Sequence, residues 1–398
     1  MAHLFVLEDS KRHILLCGQF YTAPLTSSCS VVYLLIQIHY SNFNRGRDLL
    51  SSIFCALSTA KGMKLIMKKL TDIRLSVLDL APITEGSQAS DAFRNSLDLA
   101  RHVEQLGFHR YWVAEHHNMP GIASSATAVL IGHIASGTTT IRVGSGGIML
   151  PNHAPLVVAE QFGTLETLYP NRIDLGLGRA PGTDQLTAQA LRRDGQSGEV
   201  FPQLLEELRS YLSSEQGQVR AIPGEGLNIP IYLLGSSGFS ARLAGLLGLP
   251  FAFASHFSPE NTLPALKIYR DSFQPSEILA EPYVIVGLNV IAADEDEKAH
   301  FLATSQQQAF LSLIRRTPST LKPPVQSMEQ IWTPYEKMIV DKQLQTTMIG
   351  SPNTVKEKLQ AFLDETGADE FMINTHIYDH NDRLRSYEIV SELGSGNH

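Results

Sequence analysis

Residues 111–121 read YWVAEHHNMPG: apolar strand material that ends in Glu115, His116 and His117. A carboxylate and two imidazoles at the tip of a buried strand can move protons, because an unperturbed histidine titrates near pH ~6.5. They could also hold a metal. Adjacent strand residues point to opposite faces, however, so neighbours here cannot share one ion. His153 and His256 could join them, but each follows a different strand. The pattern therefore favours proton chemistry at one of the two histidines over a catalytic metal. The plain alternative is a histidine that caps the strand and bonds backbone.

A second group of residues suits an anion. In LGSSGFSARL, Gly235 lets backbone approach closely, and Ser236, Ser237, Gly238 and Ser240 open a helix. Free amides and the helix dipole make such an N-terminus ready for phosphate. An ordinary serine N-cap is the competing reading. Arg179, in DLGLGRAPG, adds a guanidinium that wants a phosphate or carboxylate. Its competing reading is a salt bridge across the top of the fold. In VGSGGIMLPNHAP, Gly144, Gly146 and Gly147 weaken a strand, and close approach of a flat ligand or of backbone would explain them. A bulge is the other explanation.

These residues all sit where apolar runs stop. The runs are Ile73–Leu80, His109–Glu115, Ile141–Met149, Arg172–Gly178, Pro230–Gly235, Pro250–Ser255, Tyr283–Ala292 and Asp369–Thr375. Near-continuous apolar strands are buried on both faces, as in parallel sheets. Helical periods are expected at 90–106, 124–136, 155–168, 184–213, 238–247, 259–272, 295–314 and 353–366. Eight strands with eight helices predict an α/β fold, the (β/α)8 TIM barrel, whose C-terminal strand ends form the site. An open doubly wound sheet is the alternative. Gly107, Gly248 and Gly367 are placed to end helices. Residues 315–332 read as a long loop, and such loops are often lids.

Composition excludes several classes. The 398 residues carry a net charge of −8 and 43% apolar residues, with no basic stripe for nucleic acid. No apolar run reaches the ~18–20 residues of a membrane helix. The cysteines, Cys17, Cys29 and Cys55, are odd in number and lack metal spacing, so cytoplasm is the default compartment. All three fall in residues 1–68, which show no clear period. That stretch reads as a poorly ordered N-terminal extension outside the barrel of residues 69–398. Met63 and Met67 lie just before the first orderly strand, and an over-extended translation of residues 1–66 is the expectation.

Together, RYWVAEHHNMPG, IRVGSGGIMLPNHAPLVVAEQFGTLETLYPNRIDLGLGRAPG, LGSSGFSARLAGLLGLPFAFASHF and IGSPNTVKEKLQAFLDETGADEFMI resemble the bacterial luciferase-like flavin monooxygenases, over residues 73–390. The resemblance implies reduced FMN at the strands' C-terminal ends. It places His116 at the active-site histidine and Glu115 at its acidic neighbour. Arg179, Ser237, Gly238 and Ser240 then serve the phosphate. Gly146-Gly147 falls where such barrels carry a non-proline cis peptide. One departure matters: the reactive cysteine of luciferase is Gly178 here, so light emission is not implied. No Rossmann fingerprint is present, so reduced flavin is expected from a separate reductase. A homodimer and a small organic substrate are also expected. The alternatives are an F420-dependent dehydrogenase on the same barrel, or a non-catalytic flavin-binding protein.

Overall fold

The computed structural model describes residues 68–180, 183–193, 198–214 and 217–394. It also describes the backbone of two strands, Phe5–Asp9 and Arg12–Leu16, which pair antiparallel. The chain divides into two units, Met1–Ile66 and Met67–His398. The expectations for residues 1–66, and all three cysteines, lie outside the fully described residues.

The second unit is a closed parallel barrel. Its strands are β1 (Arg74–Asp79), β2 (Arg110–Val113), β3 (Arg142–Met149), β4 (Ile173–Gly178), β5 (Ile231–Gly235), β6 (Phe251–Ala254), β7 (Val284–Ala292) and β8 (Glu370–Asn374). Each pairs with its sequence neighbour, and β8 pairs with β1 to close the ring. Every strand matches one apolar run. A ninth strand of three residues, Met348–Gly350, adds to the edge of β7.

The helices form the outer layer: α1 (Ala89–Gln105), α2 (Thr127–Gly137), α3 (Pro155–Leu168), α4 (Gln185–Ala190), α5 (Phe201–Leu212), α6 (Gly238–Leu246), α7 (Thr262–Ser272), α8 (Asp296–Ile314), α9 (Pro334–Gln343), α10 (Pro352–Thr366) and α11 (His380–Gly394). In α1, Ala92, Ser96, Leu99, Ala100 and Val103 are buried, the three-to-four spacing of one helix face. Truncating Leu99 to alanine there would cost about 2–5 kcal/mol. Gly107, Gly248 and Gly367 all have positive φ, as a helix-ending glycine should.

Three expectations need correction. The segment 184–213 is two helices, α4 and α5, not one. The helix expected over 353–366 is α10, which is an addition before β8; the helix that completes the ring is α11, after β8. Its polar opening, HNDR, hides the fact that Arg383 is buried against Asp79 of β1 at 2.8 Å. Residues 315–332 do form a long loop, but a fastened one. Leu321 N donates to Ile83 O at 2.9 Å, Glu85 N to Leu321 O at 2.8 Å, and Met328 packs with Leu311 and Val340.

The barrel interior is layered. Near the strands' N-terminal ends sits a buried polar floor. Arg110 donates to Glu370 at 2.8 Å, to Asp174 at 2.7 Å and to the Tyr232 hydroxyl at 2.8 Å. Asp174 also accepts from Trp112 and Arg142, and Glu370 from Ser76 and Tyr283. Above the floor lies an apolar layer that includes Leu78, Trp112, Ala114, Ala252, Ile285 and Met372.

Candidate active site

Strand alternation decides what faces the barrel axis. On β2, Trp112 and Ala114 belong to the inner apolar layer, so two residues on, His116 continues the inward series. The same count on β6 leads from Ala252 to His256, and on β8 from Met372 through Asn374 to His376. On β7 it leads from Ile285 to Gly287 and Asn289. The three histidines stand close enough to interact electrostatically. His256 is pushed down to about 4, chiefly by burial, against a raising hydrogen bond to the Gly287 backbone, and further by His116. His376 is also pushed down to about 4, by burial first and then by Arg383, His256 and His116. Both rings are therefore neutral at neutral pH.

Glu115 faces the other way and is 1% exposed. Its carboxylate can only accept, and it is fully engaged. It receives His117 Nε2 at 2.9 Å, Met149 N at 2.9 Å, Asn152 Nδ2 at 2.9 Å and His153 Nε2 at 3.0 Å. Burial alone would raise its pKa. The hydrogen bonds from His153, His117 and Met149 outweigh that and hold it below the usual carboxylate range. Glu115 thus ties the tip of β2 to the connection after β3. The chain of contacts runs on, since Asn152 Oδ1 accepts from Arg193 at 3.1 Å and Arg193 reaches the Arg179 carbonyl at 3.5 Å. Thr183 holds the His117 carbonyl at 3.0 Å.

The tip of β3 is made of backbone. The Gly146-Gly147 peptide is cis, and the β3–β4 register shifts between Gly146 and Ile148. A Cβ on Gly146 would lie 2.7 Å from Leu78 Cδ1, and one on Gly147 2.7 Å from the Gly176 carbonyl. Only glycine allows that approach.

Arg179 follows β4 directly. Its guanidinium lies 4.3 Å from the ring centroid of Phe239, in the first turn of α6. Among the described residues it has no carboxylate partner. Ser237 holds the N-cap position of α6 in extended geometry, yet its side chain makes no capping hydrogen bond. Gly238 opens the helix, and Ser240, 3% exposed, packs one turn in, 2.7 Å from where a Cβ on Gly235 would be. A cation and unspent donors therefore converge on one helix N-terminus. Pro181 and Gly182, also at this strand end, lie outside the described residues.

The strand ends thus gather His116, Gly146, Gly147, Arg179 and the start of α6 at one face of the barrel, with Glu115 behind His116. His256, Asn289, Asn374 and His376 complete that face. Residue type alone does not single them out, but counting by twos from the inward apolar residues leads to them. Among the described residues, no three His, Cys, Asp or Glu side chains are grouped to hold a metal ion. Nor, among the described residues, is any helix long and apolar enough to cross a membrane.

The sequence profile described as luciferase-like monooxygenase matches residues 73–370. The chain is 65% identical over 325 residues to the uncharacterized protein YvbT of Bacillus subtilis, covering 81% of this chain and 97% of the relative. It is 55% identical over 325 residues to a luciferase-like monooxygenase of Escherichia coli, with the same coverages. The crystal structure of apo-MsnO8 superposes with a TM-score of 0.72 at 34% identity, covering 81% of this chain and 98% of that one. The fold is also shared, at 19% identity and TM-score 0.62, with the oxygenating constituent of 3,6-diketocamphane monooxygenase from Pseudomonas putida in complex with FMN. An F420-dependent secondary alcohol dehydrogenase shares it at 14% identity and TM-score 0.59.

Proposed function

The chain belongs to the luciferase-like monooxygenase family, an oxidoreductase family, and on that premise we propose that it is an FMN-dependent monooxygenase acting on a small organic substrate. Reduced FMN comes from a separate reductase. The observation that carries this reading is Arg179: a guanidinium without a carboxylate partner among the described residues, stacked at the N-terminus of α6. An anion is the missing counter-charge there, and the 5′-phosphate of FMN fits it.

The residues present suit the cofactor. Arg179, Ser237, Gly238 and Ser240 hold its phosphate, and the Gly146-Gly147 backbone gives a flat, side-chain-free surface for a ring. Bound reduced FMN supplies the electrons that activate O2 for oxygen transfer. The chain's own part is to orient the reactants, exclude water and manage a proton. His116 Nε2 or Nδ1 gives or takes that proton. Glu115 is a positioning residue: it holds His117, His153 and the β3 connection, and so the backbone on which His116 stands.

α2 and α3 pack side by side and leave Val129 74%, Val157 43% and Leu168 62% exposed. This apolar face supports a homodimer, and light scattering at micromolar concentration tests it; a monomer mass rejects it.

Fluorescence titration of the whole chain with FMN and with F420, followed by O2 uptake after anaerobic reduction, tests the central reading. Tighter FMN binding with O2 consumption is expected. Preference for F420 with no O2 uptake would replace the reading with hydride transfer.

A further inference from the structure

The tip of β2 and the segment that follows Arg179 are fastened by side chains to which the proton step gives no task. His117 and Asn118 lie beyond β2, and among the described residues no backbone–backbone hydrogen bond reaches either of them. Asn118 turns into the left-handed region, at φ 54°, which asparagine tolerates better than most residues. From there its Nδ2 donates to Asp184 Oδ2 at 2.9 Å. One residue back on each side, Thr183 Oγ1 donates to the His117 carbonyl at 3.0 Å. Two adjacent residues thus grip two others 66 positions away.

Asp184 is a firm post for this grip. It caps α4: Oδ1 accepts from Leu186 N at 2.9 Å and Thr187 N at 3.1 Å, and Oδ2 from Thr187 Oγ1 at 2.7 Å. Hydrogen bonds, first from Asn118 and then from Thr187, hold its carboxyl well below the usual range, so it stays an acceptor-only carboxylate. A further link runs behind the grip. Arg193 reaches from the Arg179 carbonyl to Asn152, which donates to Glu115. The connection that carries Arg179 and the tip that carries Glu115 and His116 therefore meet at three places.

We propose that Asn118 is a positioning residue which, clasped to Asp184 beside the Thr183–His117 bond, couples the phosphate half of the site to its proton-transfer half. Asn118 acts through the backbone of His117, and so on His116 one residue earlier. An anion on Arg179 steadies the segment Thr183–Arg193, and the clasp passes that order to the tip of β2. His116 is then aligned when the phosphate is in place. The coupling rests on the flavin reading of this mouth; the clasp itself does not.

The test uses the full chain and millisecond hydrogen exchange, read on peptides spanning 114–124 and 183–193. Asn118→Asp sets a carboxylate against Asp184 and breaks the clasp. Adding Asp184→Asn restores donor and acceptor in exchanged places, and asparagine caps a helix as well as aspartate does. In the ligand-free protein, Asn118→Asp should speed exchange in both segments about threefold or more, the scale of one lost hydrogen bond. The double variant should return to wild type. FMN should slow exchange over 114–124 in wild type and in the double variant. In Asn118→Asp it should bind with similar affinity, through Arg179, yet slow only 183–193. That variant should also release more hydrogen peroxide per O2 consumed, and the double variant should not. Wild-type exchange over 114–124 in Asn118→Asp overturns the proposal. So does failure of the double variant to restore it, or FMN protection of 114–124 that survives the broken clasp. Failure of FMN to bind wild type would sink the flavin reading instead, and the ligand-free exchange would then decide the clasp alone.

Discussion

The two ends of the barrel interior are both polar, but they are satisfied differently. At the floor, every charge meets its opposite. Arg110 lies between Asp174 and Glu370, Arg142 adds to Asp174, and hydroxyl and indole donors fill the remaining lone pairs. At the mouth, the inward groups are imidazoles, amides and glycines, and the guanidinium of Arg179 rests on an aromatic ring without a counter-charge among the described residues. A buried charge that is fully paired holds its own structure together and asks for nothing more. Donors left open at a helix N-terminus and around a pocket are groups a ligand completes. So the floor reads as folding machinery, and the mouth as the place of the proposed function.

The largest effect should come from breaking the floor. Asp174→Ala leaves Arg110 with Glu370 alone and Arg142 with backbone carbonyls, and removing one partner of a buried pair costs about 3–5 kcal/mol. Urea unfolding should show that loss, while FMN affinity of the folded protein stays near wild type. Lost FMN binding under native conditions would erase the distinction between the two ends.

His116→Ala should do the reverse. Oxygen transfer should drop by about 10²-fold or more, the usual scale for losing a general acid or base. FMN affinity and unfolding midpoint should hardly move, and more hydrogen peroxide should escape without product. His117→Ala is the control, because His117 faces Glu115. Were it the variant that loses turnover, the inward series on β2 would be off by one residue.

Arg179→Ala should weaken FMN about tenfold or more, the value of a charge-assisted bond of about 1.5–3 kcal/mol. Ser237→Ala and Ser240→Ala should each cost less. Fluorescence titration checks all three, and an unchanged affinity in Arg179→Ala would move the phosphate elsewhere.

The smallest effect is a slope. His256 and His376 stay neutral in the native state down to about 4, while the unfolded chain binds protons at the ordinary 6.5. Stability should therefore fall as pH drops from about 6.5 toward 4. His256→Gln and His376→Gln should each flatten that slope. Glu115 acts in a lower window: its depressed pKa adds stability above the ordinary 4.5, and that is lost only as pH falls further. Unfolding midpoints between pH 7 and 4 will show whether the histidine variants and wild type converge, as expected, only near the acid end.

The strands were legible because burial on both faces writes an uninterrupted apolar run. The floor was not, since Arg110 meets Asp174 and Glu370 across 64 and 260 residues of sequence. α11 was missed for the same reason, its inward arginine reading as surface until Asp79 is seen beside it. α9 left a usable mark, the Thr333–Glu336 capping box with Pro334 at its start. At the candidate site, residue type singled out Glu115, His116 and Arg179 as candidates. What it could not disclose was direction: that Glu115 turns outward to five donor contacts, or that His256 leans into the space Gly287 leaves.

The glycine wall has a consequence for how relatives can diverge. Where β3 and β4 approach, a methyl group on Gly144, Gly147 or Gly176 would come within 2.1–2.7 Å of a neighbouring backbone carbonyl. That surface is peptide, and peptide is the same whatever gene encodes it. New substrate preferences are then written around those three positions, at the strand tip of Gly178 and in the side chains and loops of β6, β7 and β8. Those three glycines are thus a fixed template, and the side chains around them are the editable text.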